Sequence, residues 1–179
     1  MLKAFMYPSL FAIAVSASPG ASLQVGDQFP ALAGHTLSGV ALELPSAGAG
    51  SVQVVLFSFS RAAGSDARVW NEHLARDFGA SAEVSRSSVI MLESVPKLFR
   101  GTALSGIKSN VPKFLWEKTI LLFEGEALWK SRLAFSTDSH GYVVVLDKAG
   151  RTAWIGSGPF TDKAYAGLQW AVMGLITGK

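Results

Sequence analysis

The chain of 179 residues has no cysteine. That absence excludes disulfides, zinc ribbons, iron–sulfur ligation and every thiol-based peroxidase or disulfide exchange. Histidine is scarce as well. His35, His73 and His140 are all there is, and no two of them stand at a metal-ligand spacing such as H-x-x-x-H. No metal site and no cofactor are therefore expected. Charged residues make up 16% of the chain against 49% hydrophobic, and the net charge is +3. The basic residues form no Lys/Arg run and do not interleave with aromatics, so nucleic acid is not an expected partner. The apolar surplus predicts a well-filled core or a surface that meets a membrane or a protein. A modest basic excess is compatible with an anionic membrane surface.

The N-terminus has one cation, Lys3, and no arginine. An apolar run over residues 5–17, interrupted by Pro8, follows it. Small residues at Ser16, Ala17, Ser18, Gly20 and Ala21 come next. This is the three-part layout of a secretory signal peptide. The run is shorter than the ~20 apolar residues of a membrane span. Residues 1–21 are read as a targeting segment and residues 22–179 as one domain. The alternative is an apolar helix kept on the mature protein.

From residue 36 to 44 the pattern alternates around Gly39 and predicts a hairpin. Residues 52–59 are β-prone and apolar on both faces, which predicts a buried central strand. Ser65 is the expected cap of the next helix, with Asp66 favourable at its positive end and Gly79 as a left-handed stop. Trp70, Leu74 and Phe78 form its buried stripe, with His73 half-exposed beside it. A second core strand is expected at residues 87–93 and a weak helix at 96–107. The stretch 113–118 fits strand or helix, and 119–123 reads as a strand. Helical spacing returns over 127–135. Residues 142–146 and 151–155 flank the Asp147-Lys148-Ala149-Gly150 turn as a second hairpin. Thr161 is the expected cap of the last helix, with Phe160 and Tyr165 as a hydrophobic staple. Tyr165, Leu168, Val172, Leu175 and Ile176 mark its core face. The order is hairpin, β, α, β, α, β, α, hairpin, α. It predicts an α/β domain with a mixed sheet flanked by helices and an N-terminal β-hairpin, the thioredoxin-like arrangement.

Two stretches carry a family resemblance. One is Val-Val-Leu-Phe-Ser-Phe-Ser-Arg (54–61) leading into Val-Trp-Asn-Glu-His-Leu (69–74). The other is His-Gly-Tyr-Val-Val-Val-Leu-Asp-Lys-Ala-Gly-Arg-Thr-Ala-Trp-Ile-Gly-Ser-Gly (140–158). Its Asp-x-x-Gly turn and basic return strand also resemble the end of peroxiredoxins. With Gly-Asp-x-Phe-Pro near the start and Leu-x-Leu-Pro at 42–45, the combination resembles the ATP10 family of mitochondrial ATP synthase assembly factors. The resemblance implies a chaperone at the mitochondrial inner membrane whose partner is a newly made membrane subunit. It brings no catalytic residues with it. The arginine-free leader departs from a mitochondrial address and points instead to a secreted or periplasmic protein.

The redox position of such a fold follows the first central strand. Here it reads Ser58-Phe59-Ser60-Arg61-Ala62-Ala63-Gly64, with hydroxyls and a cation but no thiol. The cis-proline of redox relatives is replaced by His140-Gly141. Ser60 would need His140 as a base to be a nucleophile, and no Gly-x-Ser-x-Gly elbow is present. Arg61 near a helix N-terminus could meet an anion, although a solvated loop arginine is the simpler reading. Trp116, Trp129, Trp154 and Trp170 are core residues by default. Trp170 and Met173 nevertheless fall off the core stripe of the last helix, which predicts a second contact with a partner or a membrane subunit. Ser60, Arg61, His140, Trp170 and Met173 are thus the candidate binding residues. Three functions follow: an assembly chaperone without catalysis, an exported redox-inactive binding module, or an enzyme using hydroxyl or carboxylate chemistry in the old redox cleft.

Overall fold

A computed structural model describes residues 21–178. The expected targeting segment, residues 1–21, lies outside them apart from Ala21. Strands β1 (Leu32–Thr36) and β2 (Ala41–Leu44) form the first hairpin, and Gly39 takes a φ of +94° in its turn. Strands β3 (Val52–Ser58), β4 (Val84–Met91) and β5 (Thr119–Leu122) are separated by helices α1 (Arg61–Phe78) and α2 (Arg100–Asn110). Helix α3 (Glu126–Arg132) leads to the hairpin of β6 (Tyr142–Leu146) and β7 (Thr152–Ser157), and α4 (Asp162–Thr177) closes the fold.

The sheet has seven strands in the order β2-β1-β5-β4-β3-β6-β7. Strand β4 runs parallel to both β3 and β5, while β1–β5, β3–β6 and the two hairpins are antiparallel. Alternation of side chains across a strand divides the core in two. Val55 and Phe57 point to one face, where Phe29, Trp129 and Leu133 cover them. Val54 and Leu56 point to the other, under Trp70, Leu74 and Phe78 of α1 and Leu168 and Val172 of α4. Ser58, Ile90 and Leu121 are cross-strand partners on that second face. There Leu104 and Ile107 of α2 pack beside Leu121. Helices α2, α1 and α4 therefore share one layer, and α3 lies in the other.

Three local expectations are corrected. Helix α1 starts five residues earlier than expected. Its cap is Ser60, whose hydroxyl accepts the Ala63 N–H at 3.1 Å, and Ser65 sits one turn into the helix, donating to the Arg61 carbonyl. Asp66 consequently lies in the helix body, where it bonds elsewhere. Gly79 is not left-handed, since its φ and ψ are −61° and −31°. The ambiguous stretch is neither strand nor α-helix but a run of 3-10 turns over Lys113–Lys118. At the other end, Thr161 caps α4 by accepting the Ala164 N–H at 3.1 Å. Phe160 and Tyr165 meet with ring centroids 5.6 Å apart, as a staple requires.

Gly156 explains part of the closing sequence motif. A Cβ there would come within 2.1 Å of the Trp154 indole. The glycine leaves room for that ring to lie along β7 and reach Trp70, whose centroid is 6.4 Å away.

Candidate functional site

The end of β3 and the start of β6 lie side by side, with Phe57 opposite Tyr142. Everything that follows β3 therefore meets everything that precedes β6. Ser60 and the 136–141 loop meet at this corner, but not as a nucleophile and base. The Ser60 hydroxyl donates its proton to the Asp138 carbonyl and accepts from Ala63 N–H. Both of its capacities are spent on holding backbone. His140 Nδ1 instead lies 3.4 Å from the Ser139 hydroxyl, and no Ser60–His140 bond occurs among the described residues. Arg61 is exposed and has no ion pair among the described residues.

Three further groups tie this corner down. The Tyr142 hydroxyl accepts the Ser136 and Thr137 N–H groups at 2.9 and 3.2 Å and donates to the Thr137 carbonyl at 2.9 Å. Burial pushes this phenol up, but the hydrogen bonds from Ser136 and Thr137 outweigh it, and its pKa is lowered. Thr137 and Ser139 close on one another at 3.0 Å. Asp66, from the second turn of α1, accepts the Gly141 N–H at 3.1 Å and the Phe160 N–H at 2.9 Å. Sequence reasoning placed Asp66 at a helix terminus and missed this bridging role. The signal that could have found it is its position six residues after Ser60, in the second turn of α1. The corner is thus a hydroxyl-sealed junction without a thiol. Among the described residues no group of three or more His, Asp or Glu is placed to hold a metal ion.

The second candidate surface is α4. Its core stripe is Tyr165, Leu168 and Val172. From Ala164 to Gly178 the sequence has no charged residue, so the face turned away from the core is apolar as well. Trp170 is 83% exposed and Met173 48% exposed. By contrast Trp129 is buried, and Trp116 and Trp154 are half-buried. Ala166, Trp170, Met173 and Thr177 form one exposed stripe at spacings of four, three and four.

The orientation of α4 is fixed by Asp77 near the end of α1. Its carboxylate accepts the Tyr165 hydroxyl at 2.7 Å and the Gln169 amide at 2.8 Å, and pairs with Arg76 at 2.7 Å. The hydrogen bonds from Arg76 and Tyr165 hold the Asp77 carboxyl down at about 2. Burial and the bond to Asp77 push the Tyr165 phenol up. His73 of α1 stacks on Phe160 at 4.3 Å, half-buried as expected. These contacts hold the Tyr165 side of the helix inward and leave Trp170 outward.

A central strand followed by a long helix, with a returning antiparallel hairpin beside it, defines the thioredoxin-like class. Solved structures with this fold include a putative thiol:disulfide interchange protein DsbE from Chlorobium tepidum. It is 17% identical, covers 86% of this chain and 99% of its own, and has a TM-score of 0.62. An uncharacterized conserved protein from Geobacillus kaustophilus is 14% identical with a TM-score of 0.64, covering 88% and 84%. A peroxiredoxin-like protein from Aquifex aeolicus is 16% identical at a TM-score of 0.55, covering 86% and 90%. These likenesses concern the fold alone. No curated protein matches the sequence significantly. The model of the family described as ATP10 protein matches residues 25–175, and the chain belongs to that family.

Proposed function

We propose that this protein is a non-catalytic assembly factor that holds an apolar segment of a membrane subunit before it joins an F-type ATP synthase. The ATP10 membership supports the assembly role. The observation that carries the binding role is the outward face of α4, uncharged over residues 164–178 and headed by a Trp170 that is 83% exposed. An indole that open to water is a standing apolar surface, and its burial against a partner is favourable by ~25 cal/mol per Å² of area covered. The lack of cysteine removes thiol exchange. The bonding of Ser60 supports the non-catalytic reading, since its proton is given to the Asp138 carbonyl.

The inner mitochondrial membrane is the place where such a client is met. The arginine-free leader favours a second reading, an exported redox-inactive binding module. Deleting the gene separates the two. Loss of respiration with unassembled ATP synthase on native gels supports the assembly factor. Normal assembly, with the mature chain found outside the cell or in the periplasm, supports the module and contradicts the first reading.

A further inference from the structure

Between β4 and β5 the chain leaves the sheet, and residues 97–118 concentrate its positive charge. They hold Lys97, Arg100, Lys108, Lys113 and Lys118 against Glu117 alone. This +4 exceeds the +3 of the entire chain, so the remaining residues together carry −1. The cations are spread over two 3-10 turns and α2 rather than set in a run, which hides the concentration from a motif search.

The same stretch exposes apolar groups at both of its ends. Leu98 is 86% exposed and Phe99 58%, in the turn that enters α2. Phe114 is 78% exposed, in the turns that follow it. Neither turn nor α2 contributes a fully buried residue. The inward side is already occupied, because Leu104, Ile107, Val111 and Trp116 pack against Leu37, Leu92 and Leu121. Leu98, Phe99 and Phe114 are therefore not a core waiting to close. Arg100 and Lys108 lie over the rings of Phe123 and Trp116 at 4.9 and 5.2 Å. Lys97, Lys113 and Lys118 are exposed and have no ion pair among the described residues.

We propose that residues 97–118 are a docking element for an anionic lipid bilayer. Leu98, Phe99 and Phe114 enter the boundary between headgroups and acyl chains, and the lysines beside them meet lipid phosphates. Each apolar tip has a cation next to it in sequence, as in Lys97-Leu98-Phe99-Arg100 and Lys113-Phe114. That pairing of shallow apolar insertion with cationic contacts is what an interfacial element needs. An apolar protein client would give the cations no partner, and a soluble polyanion would give the exposed aromatics none. The inference stands on residues 97–118 and does not depend on what α4 binds.

The test is co-sedimentation of the full chain with vesicles of phosphatidylcholine, with or without phosphatidylglycerol. Four proteins are compared: the native chain, Lys97→Glu with Lys113→Glu, Leu98→Ser with Phe99→Ser and Phe114→Ser, and Trp170→Glu. The N-terminal residues are identical in all four, so any lipid affinity of their own is constant. Native protein is expected to prefer the anionic vesicles and to lose binding with salt. Each lysine reversed should weaken it at least about fivefold. The serine variant should weaken it by about tenfold or more while its melting temperature stays unchanged. Trp170→Glu should bind vesicles as the native chain does, even if it loses its client. Equal binding to both vesicle types, native-like binding by either 97–114 variant, or no vesicle binding overturns the proposal. So does capture by soluble heparin that the serine substitutions leave unaffected, which would assign the cations to a polyanion.

Discussion

The Asp66 carboxylate receives the Gly141 N–H at 3.1 Å on one oxygen and the Phe160 N–H at 2.9 Å on the other. One side chain of α1 thereby fixes both the entry to β6 and the entry to α4. A cysteine-free corner that is still fastened this firmly is a structural joint.

Asp66→Ala should leave two half-buried backbone donors without a partner and destabilise the fold by about 1–3 kcal/mol. Asp66→Asn should cost less, because its amide oxygen still accepts one of them. Chemical denaturation measures both. Equal stability of all three proteins would show that water replaces the carboxylate at no cost.

Asp77 should make stability fall in acid. Its carboxyl is held at about 2 against an ordinary value of 3.8. A depressed acid contributes stability that is fully present above its unfolded pKa and is lost as pH falls through the folded one. The melting-temperature gap between the native chain and Asp77→Asn should hence be largest above pH ~5 and shrink between pH ~4 and ~2. A gap that does not change with pH over that window would deny the Arg76 and Tyr165 bonds their effect.

Ser60→Ala with His140→Ala should preserve function. The expected loss is about 1–2 kcal/mol of stability, from the missing cap of α1 and the lost bond to the Asp138 carbonyl. Complementation of a deletion strain checks this. A dead double variant that is folded would return the corner to catalysis.

Gly156→Val should displace the Trp154 indole from the strand and loosen its contact with Trp70, at a cost on the order of 1–3 kcal/mol. Near-ultraviolet circular dichroism of the tryptophans reads the change directly. An unaltered spectrum would mean that the ring has another place to lie.

The centre of the sheet was legible in the sequence because β3 and β6 are nearly continuous apolar runs. Residues 52–58 and 142–146 are each buried throughout, and apolar runs of that length bounded by turn residues read as buried strands. Asp147-Lys148-Ala149-Gly150 announced its turn, where Asp147 accepts the Ala149 and Arg151 N–H groups at 2.8 Å and Gly150 takes a φ of +78°. The start of α1 was misplaced because Ser60 and Ser65 are equally good caps by residue type. Only the carbonyl of Asp138, distant in sequence, selects the first. The 3-10 turns at 113–118 resisted reading because Phe114, Leu115 and Trp116 follow one another without a period. Trp170 and Met173 were found because helical spacing placed them off the core stripe. The role of Asp66 depends on which chain segments become neighbours, and composition does not record that.

The most direct test of recognition through α4 is site-specific photo-crosslinking in membranes. A photoreactive residue in place of Trp170 should capture an unassembled ATP synthase membrane subunit, while the same residue in place of Arg61 should capture none. Capture from position 61 without capture from position 170 would contradict a binding face on α4 and return recognition to the old redox corner.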